Sequence, residues 1–238
     1  MSEESSMNFW YPLIKNLNIP MPKTEIPVTK SFWAWVGILD EIDPLSEEDK
    51  QAIRDAAVKV GGYPVFMRSD YCSGKHDFER TCYVKDEKHV ISQIWGLVED
   101  NCCKDLMMES IIIREYIQPA SKFKAFSGLP IAPERRYFVR DGDVVCHHPY
   151  WPEDAILFWQ STKPEPKGWQ VKLAEMNSES EEEIILLSGY AEQIVQVLGD
   201  KWSIDFMLGR DGIWYMIDMA LAEQSFHPPC KLWEEKNK

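Results

Sequence analysis

Two aspartates carry the most pointed chemistry in this chain. Asp205 and Asp218 each lie in an apolar run within KWSIDFMLGRDGIWYMIDM (201–219), and Gly209-Arg210-Asp211-Gly212 joins the runs. Asp-Gly between apolar runs predicts a β-hairpin, because a type I′ turn needs positive φ at both central positions. With Asp211 and Gly212 central, Arg210 pairs with Ile213 and Asp205 lies directly opposite Asp218. With Arg210 and Asp211 central, Asp205 faces Met216 and Asp218 becomes its diagonal neighbour. Side chains alternate with period two, so both registers put the two carboxylates on one face. Directly opposed Cβ atoms lie roughly 4.5–5.5 Å apart, and like charges at that spacing repel. A divalent cation would compensate, since Mg²⁺ is typically held by one or two carboxylates plus substrate phosphates. The alternative is a pair of solvated acids on the outer face of an edge hairpin.

The cations pose the complementary question. In ERRYFVRDGDVVCHHPYW (134–151), a hairpin centred on Asp141-Gly142 pairs Arg140 with Asp143 and sets Arg136 opposite His147. Glu134, Arg136 and Phe138 then share a face with Val145 and His147, and Arg135, Tyr137, Cys146 and His148 share the other. An arginine on a buried strand needs a carboxylate or phosphate partner; the alternatives are a Glu134–Arg136 pair or an exposed outer face. Arg68 ends the apolar PVFM run, with its stem buried and its head at an opening, and Lys75 follows in a Ser73-Gly74 loop. Glycine lets backbone N–H groups approach an anion closely, so two cations around this loop suit a polyphosphate, although G-x-x-x-x-G-K is absent. Cys146, His147 and His148 cannot all bind one metal without a kink, because neighbours on a strand point to opposite faces.

Composition bounds these readings. The 238 residues suit one domain of two lobes, or two small domains. A net charge of −13 argues against a general nucleic-acid or membrane binder but leaves room for a local basic pocket. No apolar run reaches the roughly 20 residues of a membrane span, and the acidic start MSEESSMNFW does not read as a signal peptide. The six cysteines show no C-x-x-C spacing and read as reduced thiols of a cytoplasmic protein.

Secondary structure around these residues follows from caps, breakers and apolar period. Residues 1–60 read as an arm and cap: a proline- and aromatic-rich stretch to about 45, then a helix opened by Ser46 and its following acids, ended by Gly61-Gly62. Residues 63–70 and 107–117 read as strands, and 87–103 and 179–199 as helices. Residues 121–130 read as a basic connector and 152–178 as irregular. The order is α+β with antiparallel hairpins rather than a repeated β-α-β unit. The expected division is an N-terminal arm and cap over 1–60, one lobe over 61–118 and a second over 119–238.

Taken in order, the arginine strand VFMRSD with its SGK loop, IIIREYI, the E-x-R hairpin and the aspartate hairpin resemble the ATP-grasp superfamily over about 60–238. The likeness is to short phage and bacterial ATP-grasp proteins and, more distantly, to the assembly chaperone of translation initiation factor 2. It implies two α+β lobes with antiparallel sheets clasping ATP. It assigns Arg68, Lys75 and Arg136 to the phosphates, Glu115, Tyr116 and Ile117 to the adenine hinge, and Asp205 and Asp218 to Mg²⁺. It also implies a ligase that activates a carboxylate as an acylphosphate for attack by an amine or other nucleophile. Arg136 and Lys75 would stabilise the transferring group, and His147 would serve as substrate contact or proton acceptor. The family's closing motif is acid-x-asparagine, whereas Ala220 stands here: either Glu223 or Gln224 substitutes as metal ligand or one metal site is lost. The rival reading is an ATP-binding assembly factor or regulatory module that engages a protein partner without turnover.

Overall fold

A computed structural model describes residues 2–40, 45–158, 167–199 and 201–236. In chain order its strands are β1 (Thr24–Thr29), β2 (Val65–Ser69), β3 (Tyr83–Val84), β4 (Ser110–Glu115), β5 (Phe123–Ala125), β6 (Leu129–Ile131), β7 (Glu134–Arg140), β8 (Asp143–Pro149), β9 (Trp202–Leu208) and β10 (Trp214–Leu221). Its helices are α1 (Met7–Ile14), α2 (Phe32–Val36), α3 (Glu47–Lys59), α4 (Phe78–Thr81), α5 (Val90–Cys103), α6 (Glu153–Phe158), α7 (Trp169–Met176), α8 (Glu181–Leu198) and α9 (Lys231–Lys236). The content is α+β with antiparallel sheets.

The chain divides into two compact units. The first comprises Pro22–Ile117 and Phe126–Leu129; the second comprises Ser2–Met21, Gln118–Ala125 and Pro130–Lys238. Residues 1–60 are therefore not a separate arm and cap. α1 belongs to the second unit, while β1 adds an edge strand to the sheet of the first. Pro27 is tolerated there because an edge strand can spare an N–H donor, and the pairing with β4 is interrupted between Glu25 and Val28.

In the first unit the sheet order is β1-β4-β2-β3. α3 starts in a capping box: Asp49 N–H donates to Ser46 Oγ at 3.1 Å, and Ser46 N–H donates to Asp49 Oδ2 at 2.8 Å. Its apolar stripe of Ile53, Ala56 and Ala57 joins Ile94, Leu97 and Val98 of α5 in covering Val65 and Met67 of β2 and Ile111 and Ile113 of β4. Phe66, Arg68, Ile112 and Arg114 project from the other sheet face, because strand side chains alternate.

In the second unit the order is β10-β9-β7-β8. Ser180 caps α8 by accepting from Glu183 N–H at 3.2 Å, three glutamates occupy its first turn, and Gly199 at φ +68° ends it. α8 packs along β7, β8 and β9. Two helices, α6 and α7, lie in the stretch expected to be irregular, and the expected connector 121–130 holds the β5–β6 hairpin. No helix among the described residues is long and apolar enough to cross a membrane.

Candidate functional site

The second sheet has two chemically distinct faces. Tyr137 of β7 and Phe206 of β9 meet edge to face, their ring centroids 5.6 Å apart, and Tyr190 of α8 lies near Phe206. Arg135 shares that side. Buried almost completely, it donates to Glu183 Oε1 at 2.6 Å and to the carbonyls of Met176 and Ser178 at 2.9 Å. These partners answer the cost of a buried guanidinium, so Arg135 fixes the α7–α8 junction to the sheet.

The opposite face carries the predicted site. Arg136 pairs with Asp205 across the β7–β9 ladder in a fork: Nε donates to Oδ1 at 2.7 Å and Nη2 to Oδ2 at 2.8 Å. Its guanidinium lies over the Tyr150 ring, 4.6 Å from the centroid, and Nη1 donates to the Phe226 carbonyl at 3.4 Å. Burial works against the charge on Arg136, but Asp205, with Tyr150 and Asp218, holds it protonated above its ordinary range. Asp218 sits directly opposite Asp205, and its Oδ1 accepts from Met219 N–H at 3.0 Å. The compensating charge for the facing aspartates, assigned above to a cation, is supplied within the chain by Arg136. A carboxylate has about four lone-pair sites, so Asp205 can accept the arginine fork and still coordinate a metal. With Asp218 across from it, this oxygen donor set fits Mg²⁺.

The hairpin turns differ from their sequence readings. In β9–β10 the loop is Arg210-Asp211-Gly212: Gly209 N–H donates to the Ile213 carbonyl at 2.8 Å, and only Gly212 has positive φ, at +82°. Neither two-residue turn forms. Trp214 therefore pairs with Leu208, and the extra residue Ile217 then shifts the ladder so that Asp218 meets Asp205. In β7–β8 the two-residue turn does form, with Asp141 at φ +53° and Gly142 at +92°. Beyond Val139↔Val144, however, Val145 is an extra residue, and Arg136 faces His148 rather than His147. The expected faces of Cys146, His147 and His148 are thereby exchanged, while Val145 stays with Phe138. His147 stacks on Tyr137 with centroids 5.0 Å apart, and its Nδ1 lies 3.1 Å from Glu179 Oε1 on the Arg135 side. Burial alone would raise the Glu179 carboxyl, but His147 and Arg135 outweigh it and hold the group below its usual range.

The remaining candidates of this unit lie after β10. Ala220 follows Asp218 on the same face and offers no ligand atom. Glu223 is exposed in a single 3₁₀ turn, and the Gln224 amide oxygen accepts from Ser5 Oγ at 2.7 Å. A cleft of about 240 Å³ opens beside Arg136, lined also by His148, Tyr150, Asn177, Phe226 and Pro228.

In the first unit, Arg68 is buried to 2% exposure and its Nε donates to the Ser69 carbonyl at 3.0 Å. Its whole side chain is enclosed, where an opening at the head was expected. Arg114, which the sequence analysis does not single out, projects from the same sheet face, is also buried, and donates to Thr24 Oγ1 at 3.0 Å. The signal for it was the one used for Arg68: a guanidinium inside an apolar run. Gly74 sits at φ +66°, and a Cβ there would come within 2.9 Å of Leu97 and Thr81, so this glycine is required by packing as well as by backbone conformation. Half-buried Lys75 starts the following turn. Glu115 ends β4 and accepts from Lys23 N–H through Oε2 at 3.3 Å. Tyr116 packs against Tyr83 and Phe78, and burial pushes its phenol up to about 12. Ile117 is half-buried at the unit's edge.

No protein-family profile matches the chain, and no curated protein sequence does. Solved structures do. C-terminally truncated Cdc123 from Schizosaccharomyces pombe aligns over 92% of this chain and 83% of its own at 14% identity and a TM-score of 0.55. D-alanine–D-alanine ligase from Bacillus anthracis, complexed with ATP, aligns over 92% of this chain at 14% identity and a TM-score of 0.50. This chain spans 53% of that ligase's length. Both neighbours are ATP-grasp proteins, and the chain has the ATP-grasp fold.

Proposed function

We propose that the chain binds MgATP and uses it to activate a carboxylate for attack by an amine or other nucleophile. The observation that carries this reading is the Arg136–Asp205–Asp218 constellation on the sheet face turned away from α8, in a chain with the ATP-grasp fold. In the reaction, a substrate carboxylate oxygen attacks the γ-phosphorus as the bond to ADP breaks. The nucleophile then forms its bond to the acyl carbon and releases phosphate. Catalysis of this kind rests on positioning and charge neutralisation. Asp205 and Asp218 would hold Mg²⁺, which supplies positive charge at the phosphates. Lys75 and Arg136 would bind the triphosphate, and enclosed Arg68, with Arg114 on the same sheet face, would add positive charge from within the first unit's sheet. Glu115, Tyr116 and Ile117 would flank the adenine. The cleft beside Arg136 suits an acceptor held near the phosphates, and His148, not His147, borders it.

MgATP at about 100 times its Kd should stabilise the fold by about 2.7 kcal/mol, read as a rise in Tm. Lys75→Ala should cut that rise, and Asp218→Asn should move the Mg²⁺ titration to higher concentration. A wild-type Tm indifferent to MgATP sinks the proposal.

A second reading, nucleotide binding without turnover, is favoured by Ala220 and by the engagement of Gln224 with Ser5, which leave exposed Glu223 as the substitute ligand. Addition of amino acids, small amines and protein carboxylates separates the two. A ligase forms ADP with one of them and loses this on Glu223→Ala, whereas a non-turnover binder keeps its Tm response and forms no ADP with any.

A further inference from the structure

Cys146 and His148 lie two residues apart on β8, so their side chains leave the strand on one side. His147 points to the other side, against Tyr137 and Glu179. The triplet was set aside because its three members cannot converge. Its alternate members can, and their complement lies 81 residues further on. There, His227 and Cys230 bracket Pro228-Pro229 in the extended segment before α9. One ligand atom from each of Cys146, His148, His227 and Cys230 lies within 4.8 Å of every other. Cys146 Sγ and His227 Nε2 are 3.1 Å apart, and the two imidazole centroids are 5.0 Å apart.

We propose that these four side chains form a tetrahedral zinc site that fastens the segment 225–236 to the β7–β8 hairpin. Zn–S bonds of about 2.3 Å and Zn–N bonds of about 2.0–2.1 Å place tetrahedral ligand atoms roughly 3.3–3.8 Å apart. The observed spacing brackets that range. Two thiolates and two imidazoles in this geometry select zinc over magnesium or calcium, which take oxygen ligands. With four protein ligands the site is closed to substrate and therefore structural.

The surroundings need such a partner. Cys146 is buried beside Phe138, Val145 and Ala222, with Cys230 and Trp233 packed against the same cluster. Phe138 lies 4.2 Å from the His227 ring, and Trp233 stacks on His227 at 5.0 Å. His148 Nε2 is buried without a hydrogen-bond partner among the described residues. Burying polar groups in an apolar cluster is costly unless something pairs with them, and one cation engages all four. The carbonyl of Phe226, adjacent to His227, accepts from Arg136, so the metal would also steady that contact. The proposal is independent of nucleotide binding.

The untagged 238-residue chain, purified under reducing conditions, should contain one zinc per chain by elemental mass spectrometry. The Cys146→Ser/Cys230→Ser variant should contain none above background, and Cys102→Ser/Cys103→Ser, which alters two exposed thiols, should keep its zinc. Stripping the wild type with a chelator should lower its Tm. Refilling it with Co²⁺ should give thiolate charge-transfer absorption and the strong visible bands of tetrahedral cobalt, a readout that does not require any variant to fold. Zinc content equal in wild type and the 146/230 variant overturns the site. So does a cobalt spectrum lacking thiolate charge transfer, or a Cys146–Cys230 disulfide in the reduced preparation.

Discussion

The β7–β8 and β9–β10 hairpins are spelled alike and built differently. Each carries Asp-Gly at its tip, yet Asp141-Gly142 forms a two-residue loop while Asp211-Gly212 ends a three-residue one. In the latter, Asp211 accepts from Ile213 N–H and from the Tyr215 hydroxyl, which holds the aspartate in the turn's local network instead of a left-handed conformation. Each hairpin then takes one extra residue, with opposite consequences. Ile217 cancels the odd turn and restores the Asp205–Asp218 pairing; Val145 undoes the pairing that a regular turn would have set. Packing explains the second case. A bulge lets neighbouring side chains leave a strand on the same side, and Val145 and Cys146 both enter the Phe138 cluster. Turn type sets register only as far as the first bulge.

The largest expected effect tests the asymmetry between the facing aspartates. Asp205→Ala leaves the Arg136 guanidinium without its fork and should cost about 3 kcal/mol in denaturant unfolding. Asp218→Ala relieves a like-charge contact and should change stability by less than about 1 kcal/mol. Equal costs would mean that Arg136 does not prefer Asp205.

A smaller effect separates the two histidines. The Glu179 carboxylate is held below its ordinary range, so it contributes stability above about pH 4.5 that is lost as the pH falls through its folded value. Glu179→Gln should therefore cost about 1 kcal/mol at neutral pH, the gap closing on acidification below pH 4.5. A gap that fails to close below pH 4.5 would mean that the carboxylate is not held below its ordinary range.

The smallest effects sharpen the comparison of the turns. Gly142→Ala and Gly212→Ala each force a Cβ into positive φ and should cost about 1 kcal/mol by thermal unfolding. Nothing lies within 4 Å of a Cβ at either position, so the cost is conformational. Cost at only one of them would show that the other turn relaxes to a different type.

Local chemistry was readable along the chain. Ser46 and its following acids announce α3, the apolar period over 179–199 announces α8, and Asp-Gly between apolar runs announces both hairpins, because caps, helical stripes and turns involve residues only a few positions apart. The ordered set of Arg68, Lys75, Arg136, Asp205 and Asp218 was likewise visible, and so was the ATP-grasp resemblance. Tertiary structure alone decided which side chains meet. Arg136 finds Asp205 69 positions away because β7 and β9 are neighbours, and Cys146 meets His227 because the chain returns after β10 to the sheet face that bears Phe138. A single extra residue in β8 exchanges the faces of His147 and His148, and its cause, room beside Phe138 for two adjacent side chains, is written in no short stretch of sequence. Strand neighbours and bulges are settled by the burial of whole faces, which depends on residues far apart in the chain.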